Sequence, residues 1–278
     1  MKVGITGSNG FIGSHTLRYL NKRNIEAIPI DLRKLENNEV HSNFDWILHF
    51  AAKTIIPRSL QEADKMYLNN IISTGKAISI ANKNSSSFLF LSSYVYGEPH
   101  YLPIDENHPV DPRNSYVNSK LICEKLCKYH LNTSCPSLII LRCFNIYGFD
   151  LNAGRLIHDI IFSAKNENKI VINDPIPKRD YLYVEDFCDL IIKIIKCRKN
   201  IHNIFNVGFG RSYSNLEIAE SVRDLMKNNY EINVKNDPRE NDIKEIIADI
   251  SSIRKIFNWF PRVGIREGLK EVINQWAV

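Results

Sequence analysis

The sequence has no block of five or six like charges, no apolar run approaching 18 residues, and no paired C-x-x-C or H-E-x-x-H motif. Each absence removes a class of function. A net charge of +5 spread over scattered Lys and Arg does not form a nucleic-acid patch, and it suits a small anionic ligand better. Without a long apolar run no spanning helix is expected, and hence no membrane partner. The first apolar stretch is interrupted by Gly4, Thr6 and Gly7 and does not read as a signal peptide, so the expected location is cytoplasmic. The cysteines at 123, 127, 135, 143, 188 and 197 read as reduced core residues; Cys123 and Cys127 lie one turn apart, but nothing completes a zinc set, and no metal is expected. No internal repeat or low-complexity linker divides the 278 residues, which at 44% hydrophobic content can bury one large α/β domain carrying a smaller lobe.

What is present begins at the first thirteen residues. Val3 and Ile5 read as a short buried strand, and helical periodicity takes over at Phe11, Ile12, Leu17 and Leu20, with Gly7, Gly10 and Gly13 bracketing the change. Glycines allow the backbone to turn tightly and approach a pyrophosphate, whose charge the open N–H groups of the next helix favour. Asp31 closes the following apolar stretch, Ile25 to Ile30, where an acidic residue can accept hydrogen bonds from an adenosine ribose. It disfavours a 2′-phosphate, whereas Arg33 and Lys34 can receive one. NAD(H) is therefore the preferred cofactor, and NADP(H) stays open.

Strand and helix then alternate. Strands are expected at 46–51, 88–91 and 137–143 and helices at about 61–83 and 115–131, a pattern that predicts a Rossmann-type doubly wound parallel sheet. Residues 1–148 are expected to form the dinucleotide-binding domain with the catalytic residues. Residues 149–278 mainly form a substrate-binding lobe that closes over a second ligand, some segments returning to the main sheet. In that part Ser214 and Glu217 have the spacing of a capping box, and a later helix is expected to be capped by Ser251 or Ser252.

Tyr116 and Lys120 sit four residues apart in a predicted helix, so their side chains share one face. A tyrosine is a poor base near neutrality, but a nearby ammonium and an oxidised nicotinamide both favour its anion. Lys120 can also hold the nicotinamide ribose. Ser92, at the end of the preceding strand, is placed to hydrogen-bond the substrate oxygen that Tyr116 protonates or deprotonates.

These motifs together resemble the extended short-chain dehydrogenase/reductase superfamily, in its nucleotide-sugar branch of epimerases, dehydratases and 4-keto-sugar reductases. The resemblance covers nearly the whole chain: G-x-x-G-x-x-G at Gly7 to Gly13, H-x-A-A at His49 to Ala52, S-S-x-x-V-Y-G at Ser92 to Gly97 with one residue fewer, and Y-x-x-x-K at Tyr116. R-x-F-N-x-Y-G at Arg142, R-D-Y-x-x-V at Arg179 and R-x-x-D at Arg239 follow. It implies a Ser92, Tyr116, Lys120 triad, a pyrophosphate held by Gly7, Gly10, Phe11, Ile12 and Gly13, and a groove lined by Ala51, Ala52, Lys53 and Asn70. It further implies sugar-nucleotide contacts from Asn145, Arg179 and Arg239, with Asp242 binding a ribose or orienting Arg239. A homodimer built on the helices near 61–83 and 115–131 is also implied.

Departures narrow the reaction. The dehydratases carry Asp-Glu after the catalytic hydroxyl, where this chain has Ser93 and Tyr94 at the expected substrate contact, so dehydration is not expected. The segment between Asp31 and Asp45 is short and reads as lacking a strand, and the stretch from Gly148 to Arg179 is compact. Both trims resemble the smaller reductases. The leading expectation is reduction of a nucleoside-diphospho-4-keto sugar with Tyr116 as proton donor; the alternatives are 4-epimerisation by the same residues and, less favoured, a non-catalytic dinucleotide sensor.

Overall fold

β-branched and aromatic residues in short runs set the sheet. In the computed structural model, which describes residues 1–34, 43–57, 59–151, 153–239 and 242–276, β1 (Lys2–Thr6) lies between β2 (Glu26–Ile30) and β3 (Trp46–His49). The order continues through β4 (Ser87–Ser93), β5 (Leu138–Cys143) and β9 (His202–Val207), giving β2-β1-β3-β4-β5-β9, and the pairs from β2 to β5 are parallel. The chain leaves β1 for β2 on one side and returns to β3 on the other. That reversal opens a crevice at the carboxyl ends of β1 and β3, where open α/β sheets bind ligands.

Helices α1 (Phe11–Asn21), α2 (Leu60–Asn84) and α3 (Ser115–Leu131) connect these strands. On the face covered by α2 and α3, Ile47, Phe88 and Phe90 pack with Ala77, Ile78, Ala81, Cys123, Cys127 and Leu131. The first compact unit comprises Met1–Gly97, Glu106–Cys143 and Cys188–Asn206.

The second unit comprises Glu98–Asp105, Phe144–Phe187 and Val207–Val278. It holds β6 (Asn145–Tyr147), α4 (Leu156–Glu167), β7 (Lys169–Ile172), β8 (Lys178–Tyr183), β10 (Ser212–Ser214), α6 (Asn215–Met226), β11 (Glu231–Val234), α7 (Ser251–Phe257) and α8 (Ile265–Gln275). The helix α5 (Val184–Lys196) begins in this unit and ends in the first. Its core joins Ile157, Ile161 and Ala164 to Ile170, Ile218, Val222, Ile265 and Leu269.

The capping box forms as expected: Ser214 accepts from Glu217 N–H, and the Glu217 carboxylate accepts from Ser214 N–H. The α7 cap does not. Ile250 occupies that position, and Asp249 accepts from Ser251 N–H at 2.8 Å instead. An aspartate two residues ahead takes the orphan amide that a capping serine would have taken. The strands β6 and β10 are three residues long, too short for an alternation to read, and β11, Glu-Ile-Asn-Val, alternates over only four residues, the shortest run that reads as a strand. Most of the segment expected to be strand-free between Asp31 and Asp45, residues 35–42, lies outside the described residues.

Candidate active site

At the crevice, Gly7 has φ +68°, and a Cβ there would lie 2.6 Å from Ala51 N. A Cβ on Gly13 would overlap the Gly7 carbonyl oxygen. The turn therefore demands glycine at both positions. Gly10 N–H donates to Gly7 O at 3.0 Å, Gly10 is the N-cap of α1, and no side chain caps that helix. The first-turn amides around Phe11 and Ile12 are left for an anion, and the close approach of backbone suits a pyrophosphate. Ala51 and Ala52 follow β3 beside the turn, and the Lys53 backbone is clasped by Asn70, whose Oδ1 accepts from Lys53 N–H at 2.7 Å.

Asp31 ends the neighbouring strand. Its carboxylate receives Arg33 Nε and Nη2, each at 2.9 Å, and these hydrogen bonds pull it down to about 2. Asp31 is thus ionised at any working pH and paired with the residue expected to receive a 2′-phosphate.

The catalytic helix is set by Asn114, whose side chain accepts from Val117 N–H at 2.9 Å and fixes the first turn in which Tyr116 sits half-buried. One turn on, Lys120 is 3% exposed, with Nζ 4.4 Å from the Phe90 ring centroid. Burial lowers its pKa to about 8.

The two serines at the end of β4 differ. Ser92 faces the α3 side, where its hydroxyl donates to Glu124 Oε1 at 2.5 Å. Glu124 is also ion-paired with Arg142, through Nη2 at 2.8 Å and Nε at 3.1 Å. Arg142 Nη1 donates to Tyr96 OH at 3.2 Å, and Tyr96 OH donates to Asn206 at 2.6 Å. Ser92, Glu124, Arg142, Tyr96 and Asn206 are all buried. A hydroxyl has one proton. In this structure the Ser92 proton goes to Glu124. Ser93, the last residue of β4 and its only half-buried one, makes no side-chain hydrogen bond among the described residues. Tyr94 turns back to donate to the Gly97 carbonyl at 2.5 Å.

Sequence reasoning missed Glu124, Arg142 and His49 as partners. The signals were there: Glu124 lies one turn beyond Lys120, and Arg142 sits inside a wholly apolar strand, where a charge requires an opposite one.

In the second unit, Arg179 donates Nη2 to Asp242 Oδ1 at 2.6 Å and Nη1 to the Ile243 and Lys178 carbonyls at 2.7 and 3.0 Å. Among the described residues three of the five guanidinium N–H groups are spent. Asp242 therefore orients Arg179 rather than the expected Arg239, which is exposed. The buried Asp180 accepts from Phe209, Gly210 and Ala248 N–H at 2.6, 2.9 and 3.0 Å; burial pushes its carboxyl up to about 6 against the pull of these donors. Asn145 donates to the Asp180 carbonyl at 3.3 Å, so that residue is anchored to β8. Among the described residues no cluster could hold a metal ion, and no helix is long and apolar enough to cross a membrane.

A glycine turn at a sheet's switch point, followed by a Tyr-Lys pair on α3, defines an extended short-chain dehydrogenase/reductase. Residues 3–208 match the model of the NAD dependent epimerase/dehydratase family, and the chain belongs to that family. It is 28% identical to a UDP-glucose 4-epimerase of Lactobacillus helveticus, over 98% of this chain and 95% of that protein. It is 27% identical to UDP-glucuronic acid decarboxylase 3 of Arabidopsis thaliana, over 97% and 87%. Among solved structures, the UDP-N-acetylglucosamine 4-epimerase from Methanobrevibacter ruminantium M1, in complex with UDP-N-acetylmuramic acid, superposes with a TM-score of 0.88 at 25% identity, covering 99% of this chain and 98% of that one.

Proposed function

We propose that this enzyme interconverts the C4 epimers of a uridine-diphospho sugar. The observation that carries the reading is end-to-end similarity to 4-epimerases in a chain that keeps Tyr116 and Lys120 one turn apart on α3. It displaces the reduction favoured by sequence alone: that rested on short loops, which say little about chemistry, whereas the similarity to epimerases runs through the whole chain.

The residues act as follows. Tyr116, held as its anion by the Lys120 ammonium, takes the proton of the C4 hydroxyl and later returns it to the C4 oxygen once the sugar presents its other face. Ser93, with an uncommitted proton, donates to that oxygen, a role Ser92 cannot fill while bonded to Glu124. Bound NAD would supply a reversible hydride acceptor for C4, with no net consumption of cofactor. Gly7, Gly10 and Gly13 hold its pyrophosphate, Asp31 its ribose, and Arg33, clasped to Asp31, leaves NADP(H) second. Arg179 and Arg239 grip the substrate diphosphate, a group that guanidinium forks fit.

The test is incubation with UDP-glucose, UDP-galactose, their N-acetylated forms and UDP-glucuronic acid. Interconversion of C4 epimers without added reductant supports the reading; stoichiometric loss of reduced cofactor on a 4-keto sugar, or release of carbon dioxide from UDP-glucuronic acid, overturns it.

We also propose a homodimer through α2 and α3. Leu60, Leu68 and Ile72 form an exposed stripe on α2, and Tyr129 is exposed on α3. Sedimentation should give twice the chain mass, and Leu68→Glu should give a monomer.

A further inference from the structure

The turn that carries Tyr116 and Lys120 also carries Ser119, which is fully buried and faces α2 rather than the crevice. Its hydroxyl donates to the Tyr116 carbonyl at 2.7 Å and accepts from Asn70 Nδ2 at 2.9 Å. Asn70, 1% exposed, spends the rest of its amide on Lys53, donating to its carbonyl at 3.2 Å and accepting its N–H at 2.7 Å. One side chain therefore clips the loop after β3 to the catalytic turn.

The clip continues beneath the loop. Thr74 gives its proton to the Asn70 carbonyl at 2.7 Å, so at its 3.0 Å contact with His49 Nε2 it can only accept. His49 Nε2 is then the protonated nitrogen, and Nδ1 accepts from Thr6 Oγ1 at 2.7 Å. Thr6 Oγ1 in turn accepts Ala51 N–H at 3.3 Å. Burial holds His49 neutral, its pKa lowered to about 3, as this arrangement requires. A row of bonds, buried in its middle and half-buried at its two ends, with one permitted direction at each hydroxyl, thus joins Ala51, which packs on Gly7, to the Tyr116 carbonyl. Buried networks of this kind stay rigid only when every member is satisfied.

We propose that Ser119 is a positioning residue: through Asn70 it couples the loop that lines the dinucleotide turn to the setting of Tyr116. This rests on the reading above, in which Tyr116 carries the proton and the glycine turn carries the cofactor. Ser119 is remote from the cofactor loop in sequence, and its hydroxyl is spent on Tyr116 and Asn70. A serine that merely fills the core would therefore leave cofactor affinity alone.

The experiment compares Ser119→Thr with Ser119→Val in the full chain; the two are alike in shape and differ in the hydroxyl. NAD binding is titrated by calorimetry, and kcat and KM are measured on the epimerisation substrate. Ser119→Val should weaken NAD binding about tenfold and lower kcat at least tenfold with KM for the sugar within twofold, while Ser119→Thr restores both. Asn70→Ala should act on the same quantities, and the double variant should lose less than the product of the single losses. Equal behaviour of the Thr and Val variants, NAD affinity unchanged in Ser119→Val, or fully additive losses would overturn the proposal. If neither variant folds, Asn70→Ala decides through the same NAD titration, and unchanged affinity there also overturns it. Retained turnover in Tyr116→Phe would instead sink the assignment of Tyr116, so the two failures are distinguishable.

Discussion

Lys120 is held at a cost. With its pKa at about 8 against an ordinary 10.5, the folded state binds this proton less tightly than the unfolded chain. Between those values the unfolded state carries more protons, so stability rises with pH across the window, and the burial penalty is present in full below about 8. At neutral pH it amounts to roughly 3 kcal/mol. Lys120→Met should therefore raise the urea midpoint at pH 7 while cutting turnover by about 10²-fold or more, and the stability gain should shrink toward pH 10. A midpoint unchanged or lowered at pH 7 contradicts this. In the native enzyme kcat/KM should fall as pH rises through about 8, where the ammonium that supports the Tyr116 anion is lost. The serines separate in the same way. Ser93→Ala should lower kcat by about 10²-fold with the fold intact. Ser92→Ala should act mainly on stability, by about 1–3 kcal/mol, because it removes a donor from buried Glu124. The reverse ranking in kcat would restore Ser92 as the substrate's donor.

At the scale of elements, the buried pair Glu124–Arg142 ties α3 to β5, and Ser92 adds β4. Burial alone would lower the Arg142 pKa, but the hydrogen bonds and charge of Glu124 raise it, so the guanidinium stays charged. Glu124→Ala strands the guanidinium and should cost about 3–5 kcal/mol, measured by chemical denaturation; a loss under 1 kcal/mol would show the pair to be dispensable. The legibility of the sequence divides along the same line. The glycine turn, α3 with its Tyr-Lys pair, and the Ser214 box were readable because each is a local pattern whose partners lie within a few residues. The choice between Ser92 and Ser93 was not, because one residue is missing before Val95-Tyr96-Gly97. Counting back from that motif selects Ser92, and only the structure shows its hydroxyl bonded to Glu124 while the Ser93 hydroxyl has no such bond among the described residues. The pairings Asp242 with Arg179 and Asn70 with Ser119 span 63 and 49 residues, a separation that no spacing rule reaches.

For the whole molecule, the first unit brings together a glycine cradle, a buried lysine and a tyrosine carried on one helix, and the second brings an arginine oriented by Asp242. In the proposed reading the first unit holds the dinucleotide and the second the substrate diphosphate, in a chain that belongs to the NAD dependent epimerase/dehydratase family. In the proposed reaction hydride is borrowed from C4 and returned to it. The most direct measurement follows UDP-galactose and UDP-glucose, plain and N-acetylated, and UDP-glucuronic acid with its C4 epimer, by proton NMR with catalytic NAD and no reductant. Each member of one such pair should convert to the same equilibrium mixture, the nicotinamide should remain oxidised at the end, and Tyr116→Phe should abolish the conversion. Every pair left unchanged by active, NAD-bound enzyme, or turnover that stops at one equivalent of cofactor, would contradict it.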